Sequence, residues 1–128
     1  MIDHVNVIVR NFAESRTFYL QALAQTGHSR LVELADTLGG AAQTAGFCHP
    51  DGSDFWIRQG DSIGPPVHIA FRVPSRAAVD AFYKAAIAAG GRDNGAPSLR
   101  PQYHPNYYGA YVLDPDGNNI EAVCHEAQ

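Results

Sequence analysis

Basic residues are scarce in this chain. Nine Lys and Arg stand against 13 Asp and Glu, giving a formal net charge of −4. That balance gives no reason to expect a nucleic-acid partner, whose binders show basic stripes. No apolar run approaches the roughly 20 residues of a membrane-spanning helix, so no membrane partner is expected. The opening residues, Met1-Ile2-Asp3-His4, enter a strand pattern at once and lack signal-peptide anatomy. Cysteine is limited to Cys48 and Cys124, both in apolar strand-like runs. They read as buried free thiols in a reducing, cytoplasmic setting.

The chain does contain a design written twice. At an offset of 64, His4 falls on His68, Phe18 on Phe82, Tyr19 on Tyr83 and Gly27 on Gly91. At an offset of 65, Pro50-Asp51-Gly52 repeats as Pro115-Asp116-Gly117, and Glu121 falls opposite Trp56. Self-similarity at a fixed period determines the architecture before any local reading. The 128 residues make one domain by length. It divides into module one (1–60), a Gly- and Pro-rich linker (60–66) and module two (67–126).

Each module reads as βαβββ, which makes the fold class α+β. In module one, Val5, Val7 and Val9 alternate with His4, Asn6 and Ile8, the period of a half-buried strand. Asn11 and Glu14 form a capping-box start for a helix that buries Phe12, Ser15, Phe18, Tyr19, Ala22 and Leu23. Gly27 ends it. Strands follow at about 30–36, 41–49 and 53–59, the last two joined by the Pro50-Asp51-Gly52 turn. In module two, a strand over 67–73 precedes a helix capped by Ser75 that buries Val79, Phe82, Tyr83, Ala86 and Ile87. Gly90-Gly91 ends this helix. A strand near 92–100 and a hairpin of 107–114 and 118–125 complete the module.

Alternation along the strands sorts the polar residues. Val5, Val7, Val9, Ile69, Phe71 and Val73 point to the helices, so His4 and His68 point to the opposite face. By the same parity Trp56, Arg58 and Glu121 share that face. If the modules pair edge to edge and curl, it becomes a concave interior. Two histidines at matched positions beside a strand glutamate favour metal ligation over unrelated interior roles. The rival reading pairs Glu121 with Arg58 or Arg72. Asp114, Asp116 and Asn118 read as turn residues. His28, His49 and His125 read as surface or strand-end residues.

The residues Asp3-His4-Val5, Val67-His68-Ile69 and the run from Tyr111 through Asp114-Pro115-Asp116-Gly117 to Glu121 resemble the vicinal oxygen chelate superfamily. It includes glyoxalase I, extradiol dioxygenases and the fosfomycin- and bleomycin-resistance proteins. The resemblance spans nearly the whole chain and implies a curved open barrel of two βαβββ modules, a single glyoxalase-like domain over 1–128. It also implies His4, His68 and Glu121 as ligands of a divalent metal (Fe(II), Mn(II), Zn(II) or Ni(II)), with Trp56 where glyoxalase I has a fourth ligand. Two imidazoles and a carboxylate independently suit a metal with open positions for substrate oxygens.

The order His104, Tyr111, Asp114-Pro115-Asp116-Gly117, Glu121 is similar to a ring-cleaving dioxygenase signature, with departures at Gln102 and Ala110. It implies acid/base roles for His104 and Tyr111; the alternative is that the tyrosines cover the barrel mouth. Asn6, Trp56, Arg58 and Tyr103 are the candidate contacts for a small-molecule substrate. The expected activity is that of a metal-dependent enzyme, dioxygenase-like with three ligands. The alternatives are a glyoxalase-type lyase or isomerase, a fosfomycin-type transferase, or a metal-free binder like the bleomycin-resistance proteins. Single-domain relatives imply a homodimer, with the modules pairing within one chain or across two.

Overall fold

The computed structural model describes residues 1–35 and 42–128. Both modules have the expected element order. Module one runs β1 (His4–Val9), α1 (Phe12–Ala24), β2 (Arg30–Ala35), β3 (Ala42–Cys48) and β4 (Asp54–Gln59). Module two runs β5 (His68–Arg72), α2 (Arg76–Ala88), β6 (Arg92–Leu99), β7 (Tyr108–Leu113) and β8 (Asn119–Cys124). Observed strand ends differ from the sequence reading by one or two residues; the expected ends at Asp36 and Ala41 lie outside the described residues.

The helices begin where their caps direct. The Asn11 side chain accepts from the Glu14 amide at 3.1 Å, and Ser75 Oγ accepts from the Ala78 amide at 3.1 Å. Each bond satisfies one of the orphan donors of a first helical turn. Gly27 and Gly90, at φ +91° and +98°, turn the chain away after the two helices. No helix among the described residues is long and apolar enough to cross a membrane.

Each module forms an open four-stranded sheet, in the orders β1-β4-β3-β2 and β5-β8-β7-β6. The outer strands β1 and β5 run parallel to β4 and β8. In the register, Asn6 pairs with Trp56 and Ala70 pairs with Glu121. Trp56 therefore stands to His4 as Glu121 stands to His68, as the repeat predicts.

The inward faces of both modules meet in one core. Phe18, Tyr19, Phe47 and Phe55 of module one join Phe71, Phe82, Val112 and Ile120 of module two. Phe55 lies edge-on to Phe71 with centroids 5.6 Å apart, and α1 packs on α2. Burying each such side chain contributes roughly 1.5–3 kcal/mol before conformational entropy is counted. Ile87, expected in this core, is exposed instead. The buried stripe of α2 runs through Val79, Phe82 and Ala86, and Ile87 lies at its flank, one turn beyond the half-buried Tyr83.

One polar bond crosses the seam inside the core. Tyr19 donates its hydroxyl to Asp114 Oδ2, and both residues are buried. Asp114 also accepts from the amides of Asp116 and Asn118, which holds the Pro115-Asp116-Gly117 turn. The turn reading of Asp114 and Asn118 is thus correct, with an added role in joining the modules. Cys48 and Cys124 are free and buried, as expected.

Candidate metal centre

Because the helix-facing sides share one core, the sheet faces carrying His4 and His68 both point away from it. On module two that face is half-closed. Glu121 comes from β8, where Ile120 and Ala122 anchor the strand inward. Its side chain is only 1 % exposed, whereas that of His68 is 53 % exposed. His68 Nε2 donates to Glu121 Oε1 at 2.8 Å, and Tyr107 donates its hydroxyl to Oε2. A buried carboxylate without such partners would be costly. Arg58 and Arg72 form no ion pair with it; His68 and Tyr107 take that place.

A tyrosine–histidine wall surrounds this pair. Tyr111 pairs with Glu121 across β7 and β8, with its ring 6.0 Å from that of His68. The Arg100 guanidinium lies 5.0 Å over the Tyr111 ring. Burial first, and then the charge of Glu121, raises the pKa of Tyr111. Tyr107 is raised further by burial and by its bond to Glu121, so both phenols keep their protons at neutral pH. His104 hydrogen-bonds to His125 and stacks on it at 4.8 Å, and both rings flank Tyr107 edge-on. Burial, Arg72 and His104 lower the pKa of His125. Tyr103, 61 % exposed, rests its ring 4.9 Å from Tyr107.

The other candidates lie on module one. The His4 side chain is 57 % exposed, with Nδ1 held by Asp3 Oδ1 at 2.7 Å. That bond leaves Nε2 free, the arrangement in which a carboxylate orients a ligating imidazole. Trp56 is half-buried and lies against bare backbone at Gly46, where a Cβ would come within 2.6 Å of the indole. Arg58 is exposed. Asn6 lines a hollow of about 300 Å³ beside linker residues Ile63, Gly64 and Pro65. His4 does not join His68 and Glu121 within the chain. Among the described residues, no three His, Cys, Asp or Glu side chains could together hold one ion.

The donors present therefore fit a divalent metal as half of a site. His68 and Glu121 supply a nitrogen and an oxygen on one face. Beside them the buried Asn119 Oδ1, paired with His68 in the register, accepts no hydrogen bond. A third strong ligand has to come from beyond this cluster.

Several residues near or beside the site escaped the sequence reading. Tyr107 touches Glu121 directly; its only signal was membership of the tyrosine-rich segment. His125, read as a strand end, stacks beside Tyr107. His28, read as a surface or strand-end residue, is 8 % exposed, bonded to Thr26 Oγ1 and edge-on to Phe71 at 5.0 Å. Its place after α1 turns it into the seam between modules, which strand parity does not address. There it lines a cavity of about 660 Å³ with His49, Phe55, Phe71 and Arg72, a cavity that His68 and Glu121 do not border.

Known proteins share this fold. The chain superposes on a glyoxalase/bleomycin resistance protein from Albidiferax ferrireducens with a TM-score of 0.76 and 28 % identity, covering 98 % of this chain and 99 % of that one. A glyoxalase/bleomycin resistance protein/dioxygenase family enzyme from Burkholderia phytofirmans gives 0.70 at 21 % identity, covering 97 % and 98 %. A glyoxalase/dioxygenase from Nostoc punctiforme gives 0.69 at 22 %, covering 99 % and 92 %. At those two identities the likeness is one of fold. No curated protein is similar enough to register as a relative. The sequence profile of the Glyoxalase/Bleomycin resistance protein/Dioxygenase superfamily matches residues 1–122, which takes in both modules, both matched histidines and Glu121. The chain belongs to that superfamily.

Proposed function

We propose that this protein is a divalent-metal-dependent enzyme whose substrate binds through two neighbouring oxygens, with a centre shared between two copies of the chain. His68 and Glu121 of one copy and His4 of the other would hold the ion. The observation that carries this reading is Glu121, a fully buried carboxylate on the face away from the core, with His68 as its one basic partner among the described residues. The edge strands give the route. β1 and β5 each bond to one neighbour, and an unpaired edge invites another strand. Pairing the β1 edge of one copy beside the β5 edge of another about a two-fold axis would build two equivalent sites.

The metal, when bound, would act as a Lewis acid on adjacent substrate oxygens and stabilise enolate-like or catecholate-like charge. This chain's residues do the rest. Tyr111, protonated and beside His68, donates a hydrogen bond to substrate oxygen. His104 and His125 form a hydrogen-bonded pair behind Tyr107 that accepts or returns a proton. Trp56 walls the pocket, since indole neither ligates nor takes a proton. Three ligands and no fourth carboxylate favour dioxygenase-like chemistry over the proton shuttling of a glyoxalase-type lyase. Two free buried thiols suit the reducing cytoplasm.

A metal-free binder is the second reading, favoured by the direct His68–Glu121 bond, which satisfies both groups without an ion. Metal analysis of the purified protein separates the two. Mixing variants then tests the shared centre. His4→Ala and Glu121→Ala should each bind no metal. Equal mixing and subunit exchange should restore about a quarter of the sites, since half the dimers are mixed and each carries one intact centre. Wild type without metal ends the enzyme reading; metal in wild type with no restoration ends the shared centre.

A further inference from the structure

The geometry points to Tyr107 as a positioning residue that keeps Glu121 a one-oxygen ligand and so leaves a coordination position open for substrate. This inference rests on the metal-centre reading above. The two oxygens of Glu121 are already assigned different tasks. Oε1 faces His68 Nε2 at 2.8 Å, the gap an ion would enter by replacing the proton between them. Oε2 is turned to the Tyr107 hydroxyl. A carboxylate oxygen that accepts a charge-assisted hydrogen bond is a poor candidate for swinging onto the metal as well.

The phenol itself has little freedom. Its ring sits between those of Tyr103 at 4.9 Å, His125 at 5.2 Å and His104 at 5.5 Å. Gly109, on the same face of β7 as Tyr111, makes the approach possible. A Cβ there would stand 3.1 Å from Glu121 Oε2 and 3.2 Å from the Tyr107 ring, closer than ordinary contact. Substrate held through two oxygens needs two adjacent open positions, and a two-oxygen carboxylate would occupy one. Tyr107 therefore serves selectivity for chelating substrates rather than the holding of metal.

The test loads wild type, Tyr107→Phe, Gly109→Ala and a remote control, Tyr83→Phe, with Co(II). Visible absorption reports coordination number, because higher-coordinate Co(II) absorbs more weakly. Acetohydroxamate, which chelates through two oxygens, reports open positions. Tyr107→Phe should retain Co(II), lose absorption intensity and bind acetohydroxamate at least about tenfold more weakly, the scale of losing an outer-sphere partner. Gly109→Ala should move both readings the same way by less, and Tyr83→Phe should match wild type. Unchanged intensity and unchanged acetohydroxamate affinity in Tyr107→Phe would overturn the inference, as would folded Tyr107→Phe without Co(II). If Tyr107→Phe does not fold, the same two readings on Gly109→Ala decide. Wild type that takes up no Co(II) removes the metal centre itself, and this inference with it.

Discussion

The two modules share a backbone plan and differ in what lies on their outward faces. In module two, Glu121 is sealed under Tyr107 and Tyr111 and reaches His68. In module one the matched places hold Trp56, lying flat on Gly46, and His4, exposed and tied to its neighbour Asp3. The exchange is reciprocal. Gly46 is the counterpart of Tyr111 and Trp56 that of Glu121, so the large ring sits on opposite strands in the two copies. Each sheet keeps one aromatic and one smaller partner across the pair, as a pleated face requires. Both modules keep an aromatic beside a smaller residue across the strand pair, while only module two places a carboxylate there.

Changing one residue of each matched pair tests that asymmetry, and the largest effect belongs to the carboxylate. Glu121→Gln should weaken metal affinity by more than the about 10–100-fold that outer-sphere losses cost, while Trp56→Phe leaves it intact. Metal titration checks both; comparable losses would erase the distinction between the modules.

The matched tyrosines come next. Tyr19→Phe removes a buried bond to a carboxylate and should cost about 1.5–3 kcal/mol in urea unfolding. Tyr83→Phe, whose hydroxyl reaches Asp93 at an exposed site, should cost less than about 0.5 kcal/mol. Equal costs would mean the seam bond is no stronger than a surface one.

The smallest effect is the pH response of His28, whose matched residue is the exposed Arg92. Burial, and then the neighbouring His49, lower its pKa below the ordinary 6.5. The unfolded chain therefore takes up this proton first. The contribution to stability is full above pH 6.5 and is lost as pH falls below it. His28→Gln should flatten the fall in melting temperature over that window. A pH profile identical to that of wild type would assign the acid response elsewhere.

The repeat made most of the fold legible. Fixed offsets placed both helices, the closing hairpins and the shared face of His68 and Glu121, because strand parity is a local property. Tyr107, His28 and His125 were not legible in their roles. They sit in loops or at a strand end, where direction depends on tertiary contacts that no period encodes. The separation of His4 from His68 was hidden for a related reason. Alternation tells which face a residue takes on its own sheet, and nothing in it says how two sheets are disposed.

The bond from Tyr19 to Asp114 spans 95 positions of sequence. Its donor lies on the helix of the first copy and its acceptor holds the last turn of the second. The closing hairpin therefore gains its anchor only once the opening helix has docked, which ties formation of the end of the chain to its beginning and slows the search for the native state. Two halves that look interchangeable on paper thus act as one folding unit, and a gene fragment encoding either half would yield a chain short of a core partner.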